Sequence, residues 1–142
     1  MGNLHDGHMS LLAQSLTEHP CNVLSIFVNP TQFTESADFQ RYPRTLEQDC
    51  ALAQSLLNRH PGRELVVWAP TNPEEIYPPG FNTVISVPGL DGFLEGEFRP
   101  GHFNGVATVV YLLLHTVKPQ TAYFGRKDYQ QYRVVKRMAR DL

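Results

Sequence analysis

The sequence predicts an α/β fold, a doubly wound parallel sheet with helices on its faces. Three observations carry this. Short apolar, β-branched runs alternate with helix-length stretches of 3.6-residue periodicity. The runs show little polar alternation, as strands buried on both faces do. The segments richest in Gly, His, Asn, Gln and Lys fall where loops lead into helices, the place where such sheets hold ligands.

Met9–Thr17 (MSLLAQSLT) reads as a helix, with Met9, Leu11, Leu12 and Leu16 near helical spacing. Asn22–Val28 (NVLSIFV), closed by Pro30, reads as a strand buried on both faces. Thr45 opens a second helix. Gln48 stands at capping-box spacing from it, and Leu46, Cys50, Ala53, Leu56 and Leu57 supply the stripe. Glu64–Trp68 (ELVVW) is a second buried strand, closed by Pro70. Pro and Gly crowd Pro70–Gly105, where Thr83–Val87 (TVISV) is the one expected strand and the rest is loop. A third helix covers about Phe103–Val117, with Phe103, Val106, Ala107, Val110 and Leu114 on one face. Thr121–Phe124 (TAYF) is a third buried-type strand, ended by Gly125. The final helix runs roughly Asp128–Asp141. Tyr129, Tyr132, Val135, Met138 and Leu142 make its apolar stripe, and Arg133, Lys136, Arg137 and Arg140 lie largely on a solvated face.

The 142 residues suit one domain, residues 1–142, and 42% hydrophobic residues supply an ordinary core. A net charge of −2 disfavours nucleic acid as a partner. No apolar run approaches the roughly 20 residues of a membrane span, and the polar start has no signal-peptide core. Cys21 and Cys50 show no CxxC spacing, so a reducing, cytoplasmic setting without a membrane partner is expected.

MGNLHDGH places His5 and His8 between two glycines, just before a helix. A helix N-terminus favours anions, and two imidazoles beside it can donate to phosphate oxygens or carry positive charge as phosphate charge builds. Two competing readings stay open. The rings can be solvated loop residues, or half of a zinc site with Asp6 or His102, although helical zinc pairs usually come at i, i+4. FVNPTQF places the carboxamides of Asn29 and Gln32 after a strand, around a proline-stiffened turn. They can read a small polar substrate, or merely satisfy backbone groups of the turn. In FGRKDYQQ, Gly125 permits close approach of a ring or ribose and Lys127 can neutralise phosphate. Asp128 can accept from ribose or cap the last helix, and Gln131 stands one turn further on. Lys127 is one of only three lysines.

MGNLHDGH, SIFVNPTQF, RYPRTLEQD, the EIYP of Glu75–Pro78, VPGL, LEGEFRPGHFNGV and FGRKDYQQ stand in the order and spacing of one family. Through them the chain resembles, almost end to end, the pantothenate synthetases or pantoate–β-alanine ligases. These are nucleotidyltransferases with a HIGH-type motif, of which His5-Asp6-Gly7-His8 is a variant. The resemblance implies a Rossmann-like domain and a two-step reaction. Pantoate attacks the α-phosphate of ATP, giving pantoyl adenylate and pyrophosphate. The amine of β-alanine then displaces AMP to give pantothenate, with Mg²⁺ accompanying the phosphates and the Pro/Gly-rich segment suited to a lid.

The resemblance further implies that Met1, Gly2, Asn3, Leu4, His5, Asp6, Gly7 and His8 contact ATP. His8 would be the proton donor and His5 its phosphate-binding companion. Gly125, Arg126, Lys127 and Asp128 would hold adenosine and phosphate, with Lys127 joining the catalytic histidines. Gln32 and Gln131 would bind pantoate, Gln32 would help receive β-alanine, and Asn29 would line the same pocket. Tyr42, Arg99 and His102 would rim it. Arg126 replaces an acid usual in the family. Some members place a metal near the segment that here reads Gln48-Asp49; with only Asp49 a carboxylate there, no protein metal site is expected. The family also implies a homodimer, a strand before the histidine motif, and a Ser-Arg loop and C-terminal domain after the last helix. The chain therefore reads as a member truncated at both ends, weak or inactive alone. Two other classes remain: a non-catalytic nucleotide-binding or dimerising remnant, and a HIGH-type transferase of different acceptor. Gln32 and Gln131 favour a small hydroxy acid over the latter.

Overall fold

The computed structural model describes residues 2–33, 36–90 and 94–142. In chain order its elements are helix α1 (Asp6–Glu18), strand β1 (Cys21–Ser25), helices α2 (Ser36–Arg41) and α3 (Leu46–Leu57), strand β2 (Glu64–Trp68), and helices α4 (Glu95–Phe98), α5 (His102–Val117) and α6 (Tyr129–Asp141). Single 3₁₀ turns lie at Pro30–Gln32 and Pro73–Glu75. The chain divides into two compact units. One holds the stretch up to Val28, Pro43–Pro70 and Thr121–Gly125; the other holds Asn29–Tyr42, Thr71–Gln120 and Arg126–Leu142.

In the first unit β1 and β2 pair in parallel, Cys21 opposite Glu64 through Ser25 opposite Trp68. This parallel pairing of helix-linked strands bears out the α/β class. Leu12 and Leu16 of α1 pack with Ala53 and Leu56 of α3, and Leu24 and Leu65 reach the cluster from the strands. Burying Leu16 completely contributes about 2–3 kcal/mol. Successive side chains of a strand point to opposite faces, so Val23 and Val66 turn away from this core. They are 45% and 60% exposed, which corrects the expectation of strands buried on both faces. Helices α1 and α3 cover one face only. The third expected strand, Thr121–Phe124, forms no ladder. Its segment is tied to α1 by a side chain instead: the Tyr123 hydroxyl donates to Glu18.

The second unit is built on α5 and α6. Phe103 and Ala107 of α5 pack with Val134 and Met138 of α6, and Ile85, Val87 and Leu90 close over them. Thr83–Val87 is not a strand. The Ile85 N–H donates to the Thr108 hydroxyl on α5 (2.9 Å), so a helix side chain satisfies the group that a ladder would have used. The buried row of α6 is Val134, Val135 and Met138. Tyr129 and Leu142, expected on the apolar stripe, are 57% and 75% exposed. Val134 and Met138 are four apart and meet the small Ala107, which sets the rotation of the helix. The expected capping box on α3 is not formed, because the Thr45 hydroxyl donates to the Asp49 side chain. Among the described residues no helix is long and apolar enough to cross a membrane.

Candidate functional site: a histidine loop and a carboxamide turn

The histidine loop lies in the first unit. Gly2 has φ +84°, and a Cβ there would come within 3.1 Å of the Asp49 carboxylate and 3.2 Å of Ile26. Asn3 follows at φ +53°. Past this turn the N–H groups of Asn3 and Leu4 both point at one anion. The anion is Asp49. Asn3 N–H donates to its Oδ2 (2.9 Å) and Leu4 N–H to its Oδ1 (2.7 Å). The Thr45 hydroxyl adds a third donor at 3.3 Å, and the Asp49 side chain is 1% exposed.

Past this anchor, His5 is the N-cap of α1. Its Nδ1 accepts the Gly7 N–H at 3.1 Å. A neutral imidazole that accepts at Nδ1 carries its proton at Nε2, so His5 presents an N–H to its surroundings. The His8 ring lies 4.1 Å from that of His5, centroid to centroid, tilted by 39°. Gly7 permits this, since a Cβ there would sit 2.9 Å from the His5 ring. Asp6 and Gly7 are exposed, as is Gly125. A Cβ on Gly125 would meet nothing within 4 Å, so nothing in the fold demands glycine there. Met1 lies outside the described residues.

The carboxamide turn lies in the second unit. Asn29 is 1% exposed and caps the 3₁₀ turn. Its Oδ1 accepts from the Thr31 N–H (3.3 Å), the Thr31 hydroxyl (3.0 Å) and the Tyr77 hydroxyl (2.8 Å). Its Nδ2 donates to the Gly105 carbonyl (3.2 Å) and to Gln32 Oε1 (3.3 Å). Asn29 thus orients Gln32 and locks the turn onto α5. The Gln32 backbone carbonyl accepts from His102 Nδ1 (2.7 Å) and from Arg99 (3.4 Å). Burial pulls the His102 imidazole below its usual range, against the raising effect of its bond to Gln32; the Arg99 charge lowers it further. Burial likewise raises the Tyr77 phenol. Of the residues expected at a pocket rim, Arg99 and His102 hold Gln32, and Tyr42 sets its ring 5.7 Å from Phe33.

The same unit carries Arg126, Lys127 and Asp128, all exposed, and half-buried Gln131 in the first turn of α6. Asp128 is the N-cap of α6 by backbone position alone; its side chain makes no capping bond. Gln130 is fixed at both ends of its amide, donating to the Leu90 carbonyl (2.9 Å) and accepting from the Glu95 N–H (3.2 Å).

Sequence reasoning weighed Asp49 only as a metal ligand, and it gave Thr31, Tyr77, Gln130 and Gly105, all inside the quoted motifs, no role of their own. The supporting role of Gly105 had a local signal, a lone glycine inside a helical pattern. A Cβ there would lie 2.5 Å from the Thr31 carbonyl oxygen. Among the described residues no three His, Cys, Asp or Glu side chains are grouped to hold a metal ion. The one carboxylate of the segment associated with metal is occupied by backbone donors, so Asp49 does not fit a Mg²⁺ ligand here.

A family model for pantoate–β-alanine ligase matches residues 1–142, the whole sequence. The chain belongs to the pantoate–β-alanine ligase family. Pantothenate synthetases of Thermus thermophilus (52% identical over 143 residues) and Aquifex aeolicus (48% over 142) are similar across 100% of the chain. The match covers 49% and 48% of those proteins, so the chain spans about half the length of these curated relatives. The crystal structure of the Thermus thermophilus ligase superposes with a TM-score of 0.90 at 52% identity, over 99% of this chain and 49% of that one. The Francisella tularensis ligase, solved in complex with "Beta-gamma ATP and Beta-alanine", also reaches a TM-score of 0.90, at 41% identity, over 99% of this chain and 52% of that one. The parallel strands and helices seen here are thus the nucleotidyltransferase-type architecture of this ligase family.

Proposed function

We propose that the chain supplies the nucleotide-binding and acid-activating machinery of pantoate–β-alanine ligation, with both compact units belonging to one catalytic domain. One observation carries the reading: the paired imidazoles at the start of α1, with His5 held through Nδ1 by the Gly7 N–H and His8 beside it. An oxygen of the pantoate carboxylate attacks the α-phosphorus of ATP, and the bond to pyrophosphate breaks. Negative charge then grows on the leaving oxygen. His5 donates a hydrogen bond to the polyphosphate, His8 delivers a proton to it, and Lys127 adds a mobile positive charge. Gly2 through Gly7 approach the nucleotide through their backbone. Gly125, free of any steric demand from the fold, leaves room for adenosine, and the uncapped Asp128 carboxylate accepts from ribose. Arg126 adds a second cation beside Lys127.

Gln32, oriented by Asn29, and Gln131 hydrogen-bond to pantoate. In the second step the uncharged amine of β-alanine attacks the acyl carbon of pantoyl adenylate. The acyl–oxygen bond breaks, AMP leaves, and the nitrogen loses a proton as the amide forms. Mg²⁺ would arrive on the phosphates of ATP and would neutralise part of their charge there. Turnover by these 142 residues alone is expected to be weak, because the relatives bring about twice that length to the reaction. A cytoplasmic homodimer is part of the same reading.

Pyrophosphate release from ATP, measured with and without pantoate, tests the proposal. Pantoate-dependent release that disappears in His8→Ala supports it. ATP binding with no release under any condition would favour a non-catalytic nucleotide-binding role instead. Release driven by a different acceptor would assign the chain to another branch of the HIGH-type transferases.

A further inference from the structure

Asp49 is a carboxylate at 1% exposure, and among the described residues no cation pairs with it. A buried charge without an ionic partner must be balanced by hydrogen bonds. Here the balance comes from the N–H groups of Asn3 and Leu4, the Thr45 hydroxyl and the N-terminal turn of α3. Two of those donors belong to the loop that immediately precedes His5. The hydrophobic contact between α1 and α3 sits further along both helices, at Leu12, Leu16, Ala53 and Leu56. Docking of the helices therefore does not require Asp49, whereas the course of the loop does. Gly2 makes the approach possible, because any side chain there would press on both the carboxylate and Ile26.

We propose that Asp49 is a positioning residue for the histidine site: its carboxylate gathers the left-handed turn at Gly2–Asn3 and sets the angle at which His5 and His8 meet a polyphosphate. The two N–H groups of the loop are taken by the protein's own carboxylate, so the loop arrives at the nucleotide already ordered. Asp49 acts through the backbone of the loop, its hydrogen bonds going to Asn3, Leu4 and Thr45. The assignment rests on the proposed role of the two histidines in ATP binding.

Asp49→Asn in the full 142-residue chain tests it. The volume is kept, but the new NH₂ faces one of the two loop N–H groups, donor against donor. The amide protons of Asn3 and Leu4, shifted downfield by a carboxylate in the wild type, should move upfield and exchange at least about tenfold faster. Affinity for ATP should fall by about tenfold, close to 1.4 kcal/mol. Leu16→Ala is the control. It lowers the melting temperature by removing packing, yet should leave the two amide signals and ATP affinity within about twofold of wild type. Unchanged amides in Asp49→Asn would overturn the proposal. So would altered amides with undiminished ATP affinity, or an equal loss of affinity in Leu16→Ala. If the wild type binds no ATP, the nucleotide reading has failed, and with it the positioning role; the amide signals then report only whether the anchor exists.

Discussion

Alanine at position 105 opposes two effects of comparable size, and the contact geometry decides between them. Replacing a helix-interior glycine by alanine ordinarily stabilises, by up to about 1 kcal/mol. At Gly105 the added Cβ would lie 2.5 Å from the Thr31 carbonyl oxygen, 2.8 Å from its carbon and 3.0 Å from its hydroxyl. Ordinary C···O contacts begin near about 3.3 Å, so the turn or the helix must retreat by about 0.8 Å. Overpacking of this kind costs about 1–3 kcal/mol. The retreat also stretches the bond from Asn29 to the Gly105 carbonyl, already 3.2 Å, which contributes about 1 kcal/mol. The net expectation is a loss of about 1–3 kcal/mol, or about 3–12 °C in melting temperature for a chain of this size. Thermal unfolding followed by circular dichroism measures it. Because the turn carries Gln32, pantoate-dependent pyrophosphate release should weaken as well. Adding Thr31→Ala removes only the hydroxyl contact and leaves the carbonyl, so it should not rescue. A Gly105→Ala chain that melts at or above the wild-type temperature would refute the packing argument.

Asn29→Ala should cost about 2–4 kcal/mol, since the Tyr77 and Thr31 hydroxyls and the Gly105 carbonyl all lose a buried partner; denaturant titration reads this directly. His5→Asn and His5→Ala separate two roles of one residue. Asparagine keeps an N-cap acceptor and should melt within a degree or two of wild type, whereas alanine should lose about 1 kcal/mol. Both should lose ATP affinity, and retained affinity in His5→Asn would exclude the imidazole from phosphate binding. For His102 the folded-state value is lowered by burial, so the unfolded chain binds the proton more readily. Its contribution to stability is therefore complete above the ordinary histidine value of about 6.5 and is lost as pH falls through the lower folded value. Denaturation midpoints between about pH 5 and 7.5 should decline on the acid side. His102→Asn, which preserves a donor to Gln32, should flatten that decline.

Local sequence patterns were informative wherever the element was long and its determinants close in the chain. The four long helices appear within a few residues of their expected bounds, because 3.6-residue periodicity is written over a dozen positions or more. Both paired strands were visible as short β-branched runs. Thr83–Val87 and Thr121–Phe124 carry similar composition yet join no ladder among the described residues, since a strand exists only where another backbone offers a register. The α6 stripe was misassigned for a related reason. Tyr129 and Leu142 fit the periodicity, but the face that turns inward is chosen by Phe103 and Ala107 on another helix.

The site divides along the same line. By itself the sequence determined which chemical groups are available, two histidines before a helix, two carboxamides around a proline, and a lysine and an aspartate at the head of α6, because motif and spacing are properties of adjacent residues. Only the tertiary structure decided what holds them. Asp49 reaches back 46 positions to the Asn3 N–H, Tyr77 reaches Asn29 across 48, and Gly105 opens its helix to Thr31. Such contacts depend on how folded segments meet, and no local pattern encodes the distance at which a buried carboxylate finds a backbone N–H.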